Sequence, residues 1–220
     1  MVQKILLCMF VVFSFYYIFF IETILDSLIL LFKLIPMVLI IILAFITPAK
    51  YATAYKTLII IALIFCAFGD YTLQWFIIGL SCFLIGHVFY IRAFLTTNVK
   101  KPPLWIRLLL LIYGVSMMIW IGTTLLDANQ FFLAVAVCAY IIIILTMGWT
   151  SFRTGCNYAS IGAILFIISD SILAINKFIA PIEYSHQFIM LTYYAAQFFM
   201  TLSIANYSES RSKSATMNVV

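Results

Sequence analysis

Charged side chains are scarce in this sequence. Asp, Glu, Lys and Arg together make up 9% of the 220 residues, whereas hydrophobic residues make up 66% and the mean hydropathy is +1.21. A soluble domain carries about 25% charged residues, which form much of the polar shell that meets water. This composition excludes a soluble enzyme, a nucleic-acid-binding protein and a disordered scaffold. It indicates that the solvent of the chain is lipid.

Residues that build disulfide frameworks and zinc sites are also few. The chain has two histidines and five cysteines, an odd number with no CxxC spacing. All five cysteines lie in or at the ends of apolar runs, which is typical of buried thiols. The sequence therefore disfavours a disulfide framework and a zinc site, and we predict neither a metal nor a cofactor.

Long apolar runs fill the sequence instead. A membrane-spanning helix needs about 20 mostly apolar residues. Eight segments meet this requirement, at residues 5–21, 27–46, 57–73, 75–95, 104–126, 131–151, 158–176 and 186–206. The turn between the third and fourth segments is very short and predicts a tight helical hairpin. We predict an all-α, polytopic membrane protein with one eight-helix domain over residues 1–207 and a short polar cytoplasmic tail over residues 208–220.

The basic residues are distributed unevenly in this topology. An even number of spans puts both termini on one side, and ten of the twelve basic residues fall on that side: Lys4, Lys50, Lys56, Arg92, Lys100, Lys101, Arg107, Arg153, Arg211 and Lys213. The opposite side has only Lys177, and Lys33 lies within the second span. Because cytoplasmic loops carry an excess of Lys and Arg, we expect both termini in the cytoplasm.

A few polar residues interrupt the spans. They are Lys33, Asp70, His87, Asp170 and a stripe of Tyr193, Tyr194 and Gln197 on the last segment. A Lys or Asp at a helix centre costs about 2.5–3.5 kcal/mol on insertion scales, and such residues usually face the bundle interior and mark a substrate or ion path. The topology puts these side chains in the outer and middle parts of five helices. We therefore predict that they converge on one site.

Each of these residues also has a purely structural interpretation. Lys33 is long enough to extend to the outer interface, as basic side chains near helix ends do. Asp70 and Asp170 lie near the outer ends of their spans, where a carboxylate reaches water. His87 alone is more often an interior histidine with its hydrogen bonds satisfied. Pro36, three residues after Lys33, favours a cavity at that position because proline kinks a helix and frees a backbone carbonyl.

Five short motifs occur in order along the chain. They are Lys33-Leu-Ile-Pro36, Gly69-Asp70-Tyr-Thr-Leu73, Gly86-His87-Val-Phe-Tyr90, Ser169-Asp170-Ser171 followed by Asn176, and Tyr193-Tyr194-Ala-Ala-Gln197. With these motifs the chain resembles the YhhN family of integral membrane proteins. The resemblance covers residues 33 to 197, and helices one, five and six match it only in hydrophobicity.

The resemblance implies an activity, because the characterised members of this family are lysoplasmalogenases. They hydrolyse the vinyl-ether bond of a lysoplasmalogen to a fatty aldehyde and a glycerophospho-ethanolamine or -choline. A lysophospholipid substrate and the lipid bilayer are the partners that the resemblance implies, and nucleic acid is not among them.

Vinyl-ether hydrolysis requires an acid that protonates carbon and a group that stabilises the resulting oxocarbenium ion, a demand similar to that of glycoside cleavage. We predict that Asp70 and Asp170 supply this pair. If Lys33 neutralises one aspartate, that one stays ionised and the other stays protonated as the general acid. We favour Asp170 as the acid, since it lies deeper in its span.

The other polar residues of the motifs are predicted to support the reaction. His87, Tyr90, Tyr194 and Gln197 would orient water or the glycerol hydroxyl group. Ser169, Asn176 and Tyr193 complete the set of predicted binding or supporting residues.

Three other functions remain open from the sequence. A metal-dependent lipid hydrolase would use Asp70, His87 and Asp170 as ligands, although such sites usually contain more imidazole. A proton- or ion-coupled transporter would use the two aspartates as a relay. A membrane scaffold without catalysis would leave the alignment of polar residues unexplained.

Overall fold

Helices account for most of the described chain. The structure is a computed structural model that describes residues 1–49, 52–97 and 101–217, with side chains up to residue 207. Within these ranges there are eight α-helices and no strand: α1 Val2–Phe19, α2 Asp26–Ile46, α3 Thr53–Thr72, α4 Phe76–Leu95, α5 Leu104–Asp127, α6 Phe131–Arg153, α7 Asn157–Phe178 and α8 Ser185–Met217. Each is long and apolar enough to cross a membrane, α8 over Ser185–Tyr207. The predicted fold class is confirmed.

Most helix boundaries lie within a few residues of those predicted, and α3 shows why one of them moved. It begins at Thr53, four residues before the predicted start. The first turn contains Lys56, whose charge argued for a loop. In the structure Lys56 Nζ donates hydrogen bonds to the carbonyl oxygens of Phe45 and Thr47, at 2.6 and 2.7 Å. These carbonyls belong to the end of α2, where helical oxygens have no intrahelical partner.

The hairpin between α3 and α4 is as tight as predicted. Only residues 73–75 separate Thr72 from Phe76. The two helices pack closely, and Gly86 on α4 makes this possible, because a Cβ atom there would lie 3.1 Å from Cys66 Sγ and 3.2 Å from the Ala62 carbonyl oxygen. Small residues at such crossings are typical of membrane helices. The hairpin thereby holds Asp70 and His87 close to the bundle interior.

The connections after α1, α3, α5 and α7 lie at one end of the bundle, which we call the distal end. One surface pocket there is lined by residues at three of these connections, including Trp75 and Gln130 between helices and Lys177 in the last turn of α7. The predicted cytoplasmic location of the termini stays a prediction. Lys50 and Lys100, which contribute to that prediction, lie outside the described residues. The side chains of the predicted tail, with Arg211 and Lys213, also lie outside them.

Candidate functional site

An ion pair joins α2 to α3 near the distal end. Lys33 Nζ lies 3.1 Å from Asp70 Oδ1, and it also donates a hydrogen bond of 3.3 Å to the Asp70 carbonyl oxygen. Tyr193 on α8 donates a hydrogen bond of 2.6 Å to the other carboxylate oxygen, Oδ2. The Asp70 side chain is only 3% exposed and that of Lys33 13%. Lys33 therefore points to Asp70 rather than extending to the interface. We call these three residues the Lys33–Asp70 cluster.

Helix α2 is held in place at the same level by α8. Tyr194 donates a hydrogen bond of 2.8 Å to the Lys33 carbonyl oxygen. Pro36 lies within α2 and has no N–H, so the carbonyl oxygen one turn earlier lacks its usual helical partner. The adjacent tyrosines of α8 thus act on both members of the ion pair: Tyr193 binds the carboxylate of Asp70, and Tyr194 binds the backbone of Lys33.

A second polar cluster lies among α4, α6 and α7. The hydroxyl group of Tyr140 donates a hydrogen bond to Asp170 Oδ2, and His87 Nε2 lies 2.9 Å from the same hydroxyl oxygen. His87 Nε2 is 3.7 Å from Asp170 Oδ2. His87 is fully buried, whereas the Asp170 side chain is 18% exposed. We call these residues the His87–Asp170 cluster.

The hydrogen-bond chemistry of this cluster defines which groups donate. A tyrosine hydroxyl has one hydrogen, and Tyr140 gives it to Asp170. His87 must then present an N–H at Nε2 to the Tyr140 oxygen. Among the described residues no group hydrogen-bonds to Asp170 Oδ1. That oxygen is therefore the position where a proton on Asp170 would be available to a bound molecule.

Aromatic rings join the two clusters without a direct hydrogen bond among the described side chains. The Phe166 ring meets the Tyr193 ring at 5.4 Å and the His87 ring at 4.5 Å, both edge to face. Phe83 packs against Phe166 and Tyr193. Five helices are predicted to converge. Four of them contribute a charged or imidazole group to one cluster or the other: α2, α3, α4 and α7. The structure thus divides the predicted site into two neighbouring parts.

The remaining predicted residues contact other groups. Tyr90, fully buried on α4, donates a hydrogen bond of 2.6 Å to Gln197 Oε1 on α8. Ser169 donates to the Ile189 carbonyl oxygen at 3.0 Å and thereby fastens α7 to α8. Asn176 Oδ1 accepts the Ile182 N–H at 2.8 Å and shapes the turn between these helices. Ser169 and Asn176 therefore position the helices that carry the clusters.

Sequence reasoning missed Tyr140. It lies in α6, a helix whose only match to the family was hydrophobicity. The available signal was local: Tyr140 is the one side chain with a hydroxyl group between Ala134 and Leu145. In an otherwise aliphatic span, a tyrosine needs a hydrogen-bond partner for its hydroxyl group. The partner lies on another helix, so the pattern of α6 by itself could not identify it.

An apolar cavity of about 60 Å³ adjoins the second cluster. It lies between α4, α5, α6 and α7, and its polar lining consists of the side chains of Tyr113, Tyr140, Asp170 and Ser171. Tyr113 donates a hydrogen bond of 2.5 Å to Ser171 Oγ. A separate surface pocket at the distal end is lined by Lys33 and Asp70, together with Asp26 and Gln74. Leu73 lines both spaces.

The two carboxylates differ in depth and in enclosure. Asp170 lies eight residues before the distal end of α7 at Phe178, or about 12 Å at 1.5 Å per residue. Asp70 lies two residues before the distal end of α3 at Thr72, or about 3 Å. Asp170 is thus deeper along its helix, as expected, although Asp70 is the more completely enclosed by side chains.

No metal-binding arrangement is evident in the part of the chain that the structure describes. In these ranges no three His, Cys, Asp or Glu side chains are grouped as metal ligands. Asp70 has Lys33 as its counter-ion, and Asp170 and His87 both contact Tyr140.

The fold and the two clusters define a class of protein: a multi-pass membrane protein with two aspartates, one buried and one partly buried, within its helical bundle. Comparison with known proteins identifies the particular family. The model of the YhhN family matches residues 28–204, and the chain belongs to this family. That range contains every member of both clusters.

Curated relatives were also found. The chain is 35% identical over 162 residues to lysoplasmalogenase TMEM86A of Homo sapiens, covering 67% of this chain and 65% of that protein. It is 35% identical over 152 residues to lysoplasmalogenase TMEM86B of Homo sapiens, covering 68% of this chain and 64% of that protein. The match therefore spans slightly less than two thirds of the relatives' length. No solved structure matches the chain.

Proposed function

We propose that this protein is a lysoplasmalogenase-like hydrolase that cleaves the vinyl-ether bond of lysoplasmalogens inside the membrane. The observation that carries the proposal is the contrast between the two carboxylates. Asp70 has a lysine ammonium 3.1 Å away, whereas Asp170 has a tyrosine and a histidine as partners and faces an apolar cavity. The names of the curated relatives and the family membership support the same activity.

Asp170 is the proposed general acid. Its side chain lines the apolar cavity, where the vinyl ether of a bound lipid can reach the carboxyl group. Tyr140 donates a hydrogen bond to Oδ2, which leaves Oδ1 as the oxygen that carries the proton to be donated. The double bond of a substrate in the cavity would receive this proton at the alkene carbon remote from the ether oxygen. Proton transfer to carbon is the step that a positioned acid accelerates.

Asp70 is the proposed carboxylate partner. It forms an ion pair with Lys33, and the hydrogen bond from Tyr193 fixes its orientation. A negative charge near the oxocarbenium ion stabilises that intermediate and orients the water that captures it. Lys33 thereby acts through Asp70, and Tyr194 holds Lys33 by its backbone.

The proposed reaction is a hydrolysis that regenerates the acid. The proton of Asp170 forms a C–H bond, and the alkene electron pair is used in that bond, which leaves an oxocarbenium ion. Water adds to the oxygen-bearing carbon of this ion and gives a proton to the Asp170 carboxylate, which restores the acid and leaves a hemiacetal. In the collapse of the hemiacetal the bond to the glycerol oxygen breaks and that oxygen takes up the proton of the hemiacetal hydroxyl group, which releases the aldehyde and the glycerophospho alcohol. One water is consumed, and the enzyme returns to its starting protonation.

The test is aldehyde release from a lysoplasmalogen by the purified protein in detergent. The wild-type protein should cleave the vinyl ether and leave the saturated ether lysolipid intact. In D₂O the aldehyde should carry deuterium at the carbon next to the carbonyl, because that carbon receives the proton. Asp70→Asn and Asp170→Asn should each lower kcat by about 100-fold or more, because a positioned acid or base typically accelerates a reaction by at least that factor.

A matched control is Asp127→Asn, at the distal end of α5 and exposed. It should retain full activity. An inactive wild-type protein, or Asp170→Asn with unchanged activity and normal folding, would contradict the proposal.

A further inference from the structure

The cavity at Asp170 is too small for the whole chain of a lipid. A cavity of about 150 Å³ admits benzene, a ligand of six carbons. The cavity next to Asp170 measures about 60 Å³. A lysoplasmalogen whose vinyl ether lies at Asp170 would therefore have most of its alkyl chain outside the cavity. This reasoning depends on the proposed function, and it raises the question of where the chain leaves.

A lipid-facing groove continues from the cavity. It lies between α5 and α7 and borders α6 at Phe152, and nearly all of its lining is apolar: Trp105, Ile106, Leu109, Leu110, Tyr113, Phe152, Ile164, Ile167 and Ile168. Tyr113 and Ile167 line both the groove and the cavity. Leu109, Ile164 and Ile168 are each at least 40% exposed on the surface of a membrane-spanning helix. The groove therefore opens to the acyl chains of the bilayer.

The groove and the distal part of the cavity lie on opposite sides of Asp170. Along α7, Phe178 in the distal part of the cavity is eight residues from Asp170, or about 12 Å, and Ile164 in the groove is six residues away in the other direction, or about 9 Å. A surface pocket that contains Gln130 and Lys177 shares Phe178 with this part of the cavity. A lysophospholipid has the same order: a polar head, the vinyl ether, then one apolar chain.

One hydrogen bond crosses the junction of cavity and groove. Tyr113 on α5 and Ser171 on α7 are joined at 2.5 Å, and within the described ranges this is the only hydrogen bond between these two helices. Ser171 follows Asp170 directly in the chain. Breaking this hydrogen bond therefore changes the contacts of the residue next to the proposed acid. This hydrogen bond can break and re-form as a chain passes, because a single hydrogen bond between side chains contributes little net stability.

We propose that the alkyl chain of a single-chain lipid enters the Asp170 cavity sideways from the bilayer, through the groove between α5 and α7. The Tyr113–Ser171 hydrogen bond lies beside Ile167, where the groove meets the cavity, and closes the path between them. The occupant is one apolar chain, because the lining of the groove is almost entirely apolar and contains no charged side chain.

Substitutions that fill the groove test this path. Leu109→Trp and Ile168→Trp should lower kcat/KM for a long-chain lysoplasmalogen by about tenfold or more, a loss that corresponds to about 1.4 kcal/mol of transition-state stabilisation. Both variants should cleave ethyl vinyl ether at the wild-type rate, because that substrate has no chain to place in the groove. The control is Val135→Trp, in a lipid-facing groove between α5 and α6 that shares no residue with the cavity. It should leave both rates unchanged.

A binding measurement separates this inference from the proposed function. A lysophospholipid with a diazirine near the end of its chain is irradiated with the protein in liposomes, and the labelled peptides are identified by mass spectrometry. Labelling of residues 105–110 and 164–168 that unlabelled lysophospholipid suppresses supports the path, even if the protein cleaves no vinyl ether. Labelling that is uniform over the lipid-facing helices overturns it. Equal losses for long and short substrates in the tryptophan variants overturn it as well.

Discussion

The ammonium group of Lys33 on α2 lies 3.1 Å from the carboxylate of Asp70 on α3, with both side chains enclosed by the bundle. Each charge would be costly in a membrane-spanning helix by itself. Together they neutralise one another, and Tyr193 satisfies the second carboxylate oxygen. The ion pair with Lys33 distinguishes Asp70 from Asp170, whose partners are Tyr140 and His87, and this difference supports the division of roles proposed above.

Removing the lysine should destabilise the protein as well as inactivate it. Lys33→Met leaves the Asp70 carboxylate buried without its counter-ion, and loss of one partner of a buried ion pair costs about 3–5 kcal/mol. The melting temperature in detergent should fall. The double variant Lys33→Met with Asp70→Asn should recover most of the stability and none of the activity. A single variant as stable as the wild-type protein would show that the pair is not energetically coupled.

Tyr140→Phe tests the hydroxyl group between His87 and Asp170. The ring and its packing are retained, but Asp170 Oδ2 and His87 Nε2 lose the oxygen that joins them. We expect kcat to fall by about 10- to 100-fold with little change in KM, because a mispositioned acid weakens the transition state rather than substrate binding. Tyr158→Phe, on the exposed surface of α7, is the matched control and should keep wild-type kinetics. Equal kinetics for both variants would remove Tyr140 from the site.

The sequence allows much of the fold to be predicted, because length and hydropathy alone identify the spans. It also indicates Lys33, Asp70, His87 and Asp170, since charge and imidazole are costly in lipid. Which residues meet could not be predicted in the same way. Lys33 pairs with Asp70, and Tyr140 contacts Asp170. Both contacts depend on how helices that are distant in sequence are rotated against one another. No periodicity within one helix contains that information.

Tyr90 and Gln197 offer a test of a buried polar contact. Tyr90→Phe removes the hydroxyl group that donates to Gln197 Oε1, and the buried amide then loses this partner, at a cost of about 1–3 kcal/mol. Gln197→Leu should cost a similar amount, because it leaves the Tyr90 hydroxyl unsatisfied. The double variant should be less destabilised than the sum of the two, as measured by thermal unfolding in detergent. Strict additivity would contradict the contact.

Gly162 tests the close packing of α7 on α8. A Cβ atom there would lie 3.0 Å from the Ala196 carbonyl oxygen and 3.2 Å from the Met200 nitrogen, both backbone atoms of α8. Gly162→Ala should therefore force the helices apart and cost about 1–3 kcal/mol. At Gly122 the nearest atom is Cys138 Sγ at 3.6 Å, an ordinary contact. Gly122→Ala should instead stabilise the protein slightly, since alanine favours a helix by about 1 kcal/mol over glycine.

Treatment with chelators distinguishes the proposed acid–base hydrolase from a metal-dependent lipid hydrolase at the same residues. A divalent cation at Asp70 would compete with the Lys33 ammonium 3.1 Å away, and a cation bound by Asp170 and His87 would have to displace the Tyr140 hydroxyl between them. We therefore expect EDTA and 1,10-phenanthroline to leave the rate of aldehyde release unchanged. A zinc hydrolase treated in the same detergent serves as the positive control. Loss of activity that added Zn²⁺ or Mn²⁺ restores would favour the metal-dependent mechanism and assign Asp70, His87 and Asp170 as ligands.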